Sequence, residues 1–151
     1  MARPAIERDD ENEHLWPWLR RGLGRFVGRA HVHRIEDLTK SGTPDVEGCI
    51  GGVSFWIELK VAYEQVREPV VRVKTTDKQV YFAMRRCEVG GLSWYLVRVG
   101  AGRRALHYLV HGSEAEALLD RPVPVAWLAE RSRCPPDAAA WQVLSRASLA
   151  V

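Results

Sequence analysis

Ser41-Gly42-Thr43-Pro44-Asp45 and, a short way on, Trp56-Ile57-Glu58-Leu59-Lys60 put one acid after a turn and a second acid with a lysine on an apolar run. Asp45 and Val46 open a short strand to Ile50, Gly51-Gly52 is a hairpin turn signal, and Val53 to Lys60 returns antiparallel. Strand side chains alternate between faces, so Phe55, Ile57 and Leu59 point one way and Trp56, Glu58 and Lys60 the other. A hairpin brings its first and last residues together, which lets Asp45 meet Glu58 and Lys60. Opposite charges on an apolar strand are costly to bury unless they are paired or used. Two carboxylates side by side repel and favour a divalent cation, and hard oxygen ligands suit Mg²⁺ or Mn²⁺. The lysine adds a compact positive charge that can hold a water or a phosphate oxygen. The bland alternative makes Asp45 a turn cap and Glu58–Lys60 a surface pair. Trp56, Ile57 and Leu59 around them speak against it.

Upstream, residues 1–10 are polar and read as a tail. A helix comes next, with Leu15, Trp18 and Leu19 on one face. Pro17 implies that it starts near Glu13 or kinks there, and Gly22 and Gly24 mark its end. Glu11 and Glu13 open or precede it, where an acid also suits the helix dipole. Residues 25–36 alternate as a strand, interrupted near Gly28. His31 and His33 share one of its faces, where exposed or hydrogen-bonded histidines are commoner than metal ligands.

Downstream, residues 61–75 form a polar connection ending in a basic strand, Val70-Val71-Arg72-Val73-Lys74. Arg67, Arg72, Lys74 and Lys78 cluster after the acids, where they can neutralise phosphates or merely solvate an edge. Thr75 or Thr76 caps the next helix, which carries Val80, Tyr81, Met84 and Cys87 inward, Gln79 in its first turn, and Arg85 and Arg86 for a substrate backbone. Trp94 to Val99 and Ala105 to Val110 are strands. Ser113-Glu114-Ala115-Glu116 has the form of a capping box. Pro122 and Pro124 break the helix it would open, Trp127 and Leu128 suggest a helical turn, and Pro135-Pro136-Asp137 leads into a helix with Trp141 and Leu144. One domain is expected: a core over 11–110 and a helical extension over 111–151 packed on it.

Pro44-Asp45 with Glu58-Leu59-Lys60 resembles the PD-(D/E)xK nuclease motif. More narrowly, Arg34-Ile35-Glu36, Gly42-Thr43-Pro44-Asp45-Val46, Trp56-Ile57-Glu58-Leu59-Lys60 and Gln79 resemble the small phage and bacterial VRR-NUC proteins, relatives of the Holliday-junction resolvases. The resemblance covers residues 11–99. It implies an α/β fold of the restriction-endonuclease type, a mixed sheet flanked by helices, and Mg²⁺- or Mn²⁺-dependent hydrolysis of DNA in recombination or repair. Asp45 and Glu58 would hold the metal, with the Leu59 carbonyl and either Glu11 or Glu13 as further ligands. Lys60 would orient the water, Gln79 would face the site and Arg34 would lie beside it. Branched DNA as substrate and a homodimer are implied by the same likeness.

The 151 residues suffice for a real core. The net charge of +3, from 22 basic and 19 acidic residues, means that any DNA surface must come from clustering. Cys49, Cys87 and Cys134 are widely spaced without a C-x-x-C, which argues against a zinc site and a disulfide framework. With no apolar run of membrane-spanning length and a charged N-terminus, the expected location is the cytoplasm of a bacterium or a phage-infected host. Two rival readings are a non-catalytic DNA-binding or virion-associated protein and a sequence-specific restriction endonuclease. Clustered carboxylates are of no use to a pure binder of phosphates. A restriction enzyme wants a reading element that the Ala-, Val- and Pro-rich tail lacks.

Overall fold

A computed structural model describes residues 11–23, 28–36, 39 and 41–132, the side chains of 12 and 13 excepted. The tail over 1–10, Gly24, the strand residues 25–27, Cys134 and the helix expected around Trp141 and Leu144 lie outside the described residues.

The chain begins with a π-helical turn, Glu11–Leu15, that runs into helix α1, Trp16–Leu23. Winding is therefore under way by Glu11, before the start expected near Glu13. The wide turn falls where Pro17 interrupts the regular hydrogen-bond ladder. Strands β1 (Ala30–Arg34), β2 (Val46–Ile50) and β3 (Val53–Ala62) form an antiparallel meander. Gly51 and Gly52 turn the β2–β3 hairpin with φ of 57° and 86°, the left-handed pair that a two-residue turn requires.

After β3 the chain crosses over through β4 (Val70–Val71) and helix α2 (Asp77–Glu88) to β5 (Ser93–Val99), which lies parallel to β3. β6 (Leu106–His111) then pairs antiparallel with β5. The sheet order is β1-β2-β3-β5-β6, a five-stranded mixed sheet. A 3-10 helix, Gly112–Leu118, strand β7 (Val123–Pro124) and helix α3 (Val125–Ser132) complete the described chain.

Period-two alternation splits the core between the two faces. Phe55, Ile57 and Leu59 pack with Leu15, Leu19 and Leu23 under α1. Each is fully buried, which stabilises the fold by about 1.5–3 kcal/mol per side chain. Tyr95, Val97, Tyr108 and Val110 pack on the other face with Val80 and Ala83 of α2, Ala115 and Leu118 of the 3-10 helix, and Leu128 of α3. The edge strand β6 is also tied to α3, because Leu109 N donates to Ser132 Oγ at 2.8 Å.

Three expectations are corrected. The basic strand shrinks to Val70–Val71, because only those residues find a partner, in β7. In α2 Tyr81 is 70% exposed, while Val80 and Ala83 carry the buried face. The 3-10 helix is capped by His111, whose ring accepts from Ser113 N, and Ser113 is not the cap. Among the described residues no helix is long and apolar enough to cross a membrane.

Candidate active site

Asp45 stands one step beyond the last β2–β3 pair, Val46 opposite Ile57. Its carbonyl accepts from Ile35 N at 2.7 Å, which fastens it to the end of β1. Its Oδ2 accepts from Leu59 N at 2.8 Å, so the carboxylate is locked onto β3 between Glu58 and Lys60. The turn before it depends on Gly42. There φ is 87°, and an added Cβ would lie 2.5 Å from the Lys78 carbonyl carbon in the first turn of α2. Only glycine permits so close an approach.

Glu58 and Lys60 share the β3 face that looks toward α2. Glu58 is 3% exposed and Lys60 6%. Lys60 Nζ lies 2.9 Å from Glu58 Oε1 and donates to Gln79 Oε1 at 3.2 Å. Gln79 Nε2 donates to the same Glu58 oxygen at 2.5 Å. Gln79 Oε1 also accepts from Thr75 Oγ1 at 3.1 Å and from Thr76 N at 3.2 Å. Thr75 in turn meets the Tyr95 hydroxyl at 2.8 Å. Gln79 is therefore both the third residue of a capping box on Thr76 and the clamp that orients Glu58 and Lys60. Burial pushes the Tyr95 hydroxyl far above its ordinary pKa, so it stays a neutral donor.

The second Glu58 oxygen, Oε2, is buried and has no protein hydrogen-bond partner. Burial raises the Glu58 pKa to about 7, Lys60 offsets part of the rise, and the Asp45 and Glu11 carboxylates add to it. An orphaned carboxylate oxygen among negative neighbours costs about 1–3 kcal/mol or more. A divalent cation would satisfy that oxygen and pull the proton off. Asp45 and Glu58 suit Mg²⁺, which is commonly held by one or two carboxylates and keeps several waters. Glu11 comes near enough to influence Glu58. Even so, no group of three or more His, Cys, Asp or Glu side chains closes into a metal cluster among the described residues. The Glu13 side chain lies outside the described residues, so the choice between Glu11 and Glu13 is not made by contact.

The expected cations fall into three groups. Arg34 ends β1 opposite Val46, beside Asp45. Arg72 and Lys74 are exposed and alternate with buried Val71 and Val73, while Arg67 sits in the turn before β4 with φ 75°. Lys78, Arg85 and Arg86 are exposed on α2. Arg85 pairs with Glu88 at 3.1 Å, and the Arg86 guanidinium lies over the Phe82 and Trp56 rings. His31 and His33 are exposed, and His33 Nε2 lies 3.6 Å from Glu47. The sequence reading missed Tyr95 and the part of Thr75 in the network. The signal for the first was its strand parity, which sets it opposite Glu58 in the parallel β3–β5 register.

No family model matches the chain, and no curated protein matches it in sequence. Solved structures do resemble it in fold. The Holliday junction resolvase Hjc of the archaeon Archaeoglobus fulgidus is similar over 80% of this chain and 90% of its own, with a TM-score of 0.50 at 12% identity. A bacterial homing endonuclease is similar over 99% of this chain and 96% of its own, with a TM-score of 0.52 at 11% identity. The fold is the α/β fold of the restriction-endonuclease type, a mixed sheet flanked by helices.

Proposed function

We propose that this chain is a divalent-metal-dependent endonuclease that hydrolyses phosphodiester bonds of DNA. One observation carries the reading: a buried Glu58 with an orphaned oxygen, locked beside Asp45 and Lys60. Asp45 and Glu58, with the Leu59 carbonyl, would hold Mg²⁺ or Mn²⁺. When bound, the metal polarises the phosphate and lowers the pKa of the attacking water. Two of the three Lys60 protons go to Glu58 and Gln79, and the third turns to the water or to a phosphate oxygen. There it orients the nucleophile and offsets charge developing in the transition state. Gln79 fixes the Glu58–Lys60 geometry. Arg34, Arg67, Arg72 and Lys74 neutralise phosphates without reading sequence.

The likeness to the VRR-NUC proteins and to a resolvase fold supports branched DNA as the substrate and a homodimer as the working form, since cutting a junction symmetrically needs two sites. Among the described residues a dedicated sequence-reading element is not evident. The described part of the chain after β6 is spent on packing, with Ala115, Leu118 and Leu128 buried.

The test incubates labelled four-way junction, linear duplex, single strand and flap DNA with Mg²⁺, Mn²⁺ or EDTA. Metal-dependent cutting is expected, with the junction preferred, and Asp45→Ala and Glu58→Ala should abolish it while leaving a folded protein. Cutting of the other forms alone would discard the junction. Binding without cutting under either metal would leave a non-catalytic DNA-binding protein.

A further inference from the structure

Below the turn that carries Asp45, a groove of about 520 Å³ runs along α2, with Ser41, Lys78, Tyr81, Phe82, Arg85 and Arg86 in its wall. Its volume is that of pockets that take a small organic molecule. The proposed site makes no use of the groove's aromatic floor. Tyr81 is 70% exposed and Val89, at the groove's far end, 62%, an apolar face that water covers at a cost. Phe82 stands edge-on to Trp56 with centroids 5.4 Å apart, and the Arg86 guanidinium lies over both rings. Lys78, Arg85 and Arg86 give the groove three cations against the single carboxylate of Asp77.

We infer that the groove holds an unpaired strand of the DNA substrate, one base stacked on Tyr81 and its phosphates on Lys78, Arg85 and Arg86. This rests on the nuclease reading and names the substrate class for it. An aromatic face among cations is the pairing that binds single strands, because every base has a π face to stack and every nucleotide a phosphate. A duplex cannot use Tyr81 this way, since its base faces are covered by their neighbours. The groove is also continuous with the site. Ser41 lines it and precedes Gly42, which touches Lys78. Trp56, against Phe82, lies on the Glu58 face of β3, about 7 Å along the strand from Glu58. A second copy of this chain fits the groove poorly. A two-fold axis through it would bring Lys78, Arg85 and Arg86 against their own counterparts.

The test is binding in EDTA, where turnover plays no part. The probes are a blunt DNA duplex, the same duplex with a single-stranded extension at either end, and that extension built from abasic sugars. The wild type should prefer the extension over the blunt duplex, and the abasic version should lose the preference. Tyr81→Ala should weaken binding to the extension about tenfold and leave the blunt duplex unchanged, and Tyr81→Phe should restore the wild-type value. Equal loss on both probes, or no loss, would overturn the groove. So would a drop in sedimenting mass in Tyr81→Ala, which would make this face a contact between copies. Binding through Tyr81 by a protein that never cuts keeps the groove and discards the nuclease. Cutting with Tyr81→Ala unaffected on every probe does the reverse.

Discussion

Glu58 carries the sharpest consequence at the scale of a single residue. Its pKa rises from 4.5 to about 7 in the metal-free protein. The folded state then binds more protons than the unfolded state between those values, so stability falls as pH rises through that window and is flat outside it. The effect is bounded by about 3 kcal/mol. Melts in EDTA should show Glu58→Gln gaining on the wild type from pH 4.5 to 7, and a constant difference there would mean that the carboxyl is not held protonated by burial. Mg²⁺ at about pH 8, above that window, should reverse the order, raising the melting temperature of the wild type and leaving Glu58→Gln unmoved. At Lys60, loss of the ammonium should cost turnover more than binding, and an active Lys60→Ala would remove its role. Asp45, Glu58 and Lys60 were legible because alternation and a two-glycine turn leave one way to pair the strands. Tyr95 was not, since strand parity identifies a face and not which neighbouring strand supplies it.

At the scale of the element, α2 and the turn before β2 depend on each other. Thr76 caps α2, and Gln79 closes the box while clamping Glu58 and Lys60. Thr76→Ala should cost about 1 kcal/mol of stability and lower kcat more than it raises KM, because the clamp loses its anchor. A change confined to KM would separate the cap from the site. Gly42→Ala meets both the φ of 87° and the Lys78 backbone. It should cost about 1–3 kcal/mol and reduce cutting, checked by a urea melt beside an activity assay. Neutralising Arg72 with Lys74 should weaken binding to all DNA sequences alike and flatten the salt dependence. A loss confined to one sequence would point to base reading. The phase of α2 was hard to read because Val80, Tyr81, Phe82, Ala83 and Met84 form an unbroken apolar run with no gap to set its register. Position resolved it: Ala83 reaches the core and Tyr81 does not.

At the scale of the molecule, the site is assembled from distant stretches of chain. Asp45 comes from the turn before β2, Glu58 and Lys60 from β3, Gln79 from α2 and Tyr95 from β5. The order of elements implied the mixed sheet, and the resemblance named its type. The pairing of β4 with β7 was not legible, because two residues carry no periodicity. The parallel β3–β5 pair has one further consequence, for synthesis. The β1–β2–β3 meander is local and can form early, whereas β5 pairs only after the crossover through α2 is complete. A nascent chain therefore exposes Asp45, Glu58 and Lys60 before Gln79 and Tyr95 arrive to set them. Competence to cut should appear only when β5 has left the ribosome, so that a nuclease of this build stays harmless to nucleic acid while it is being made.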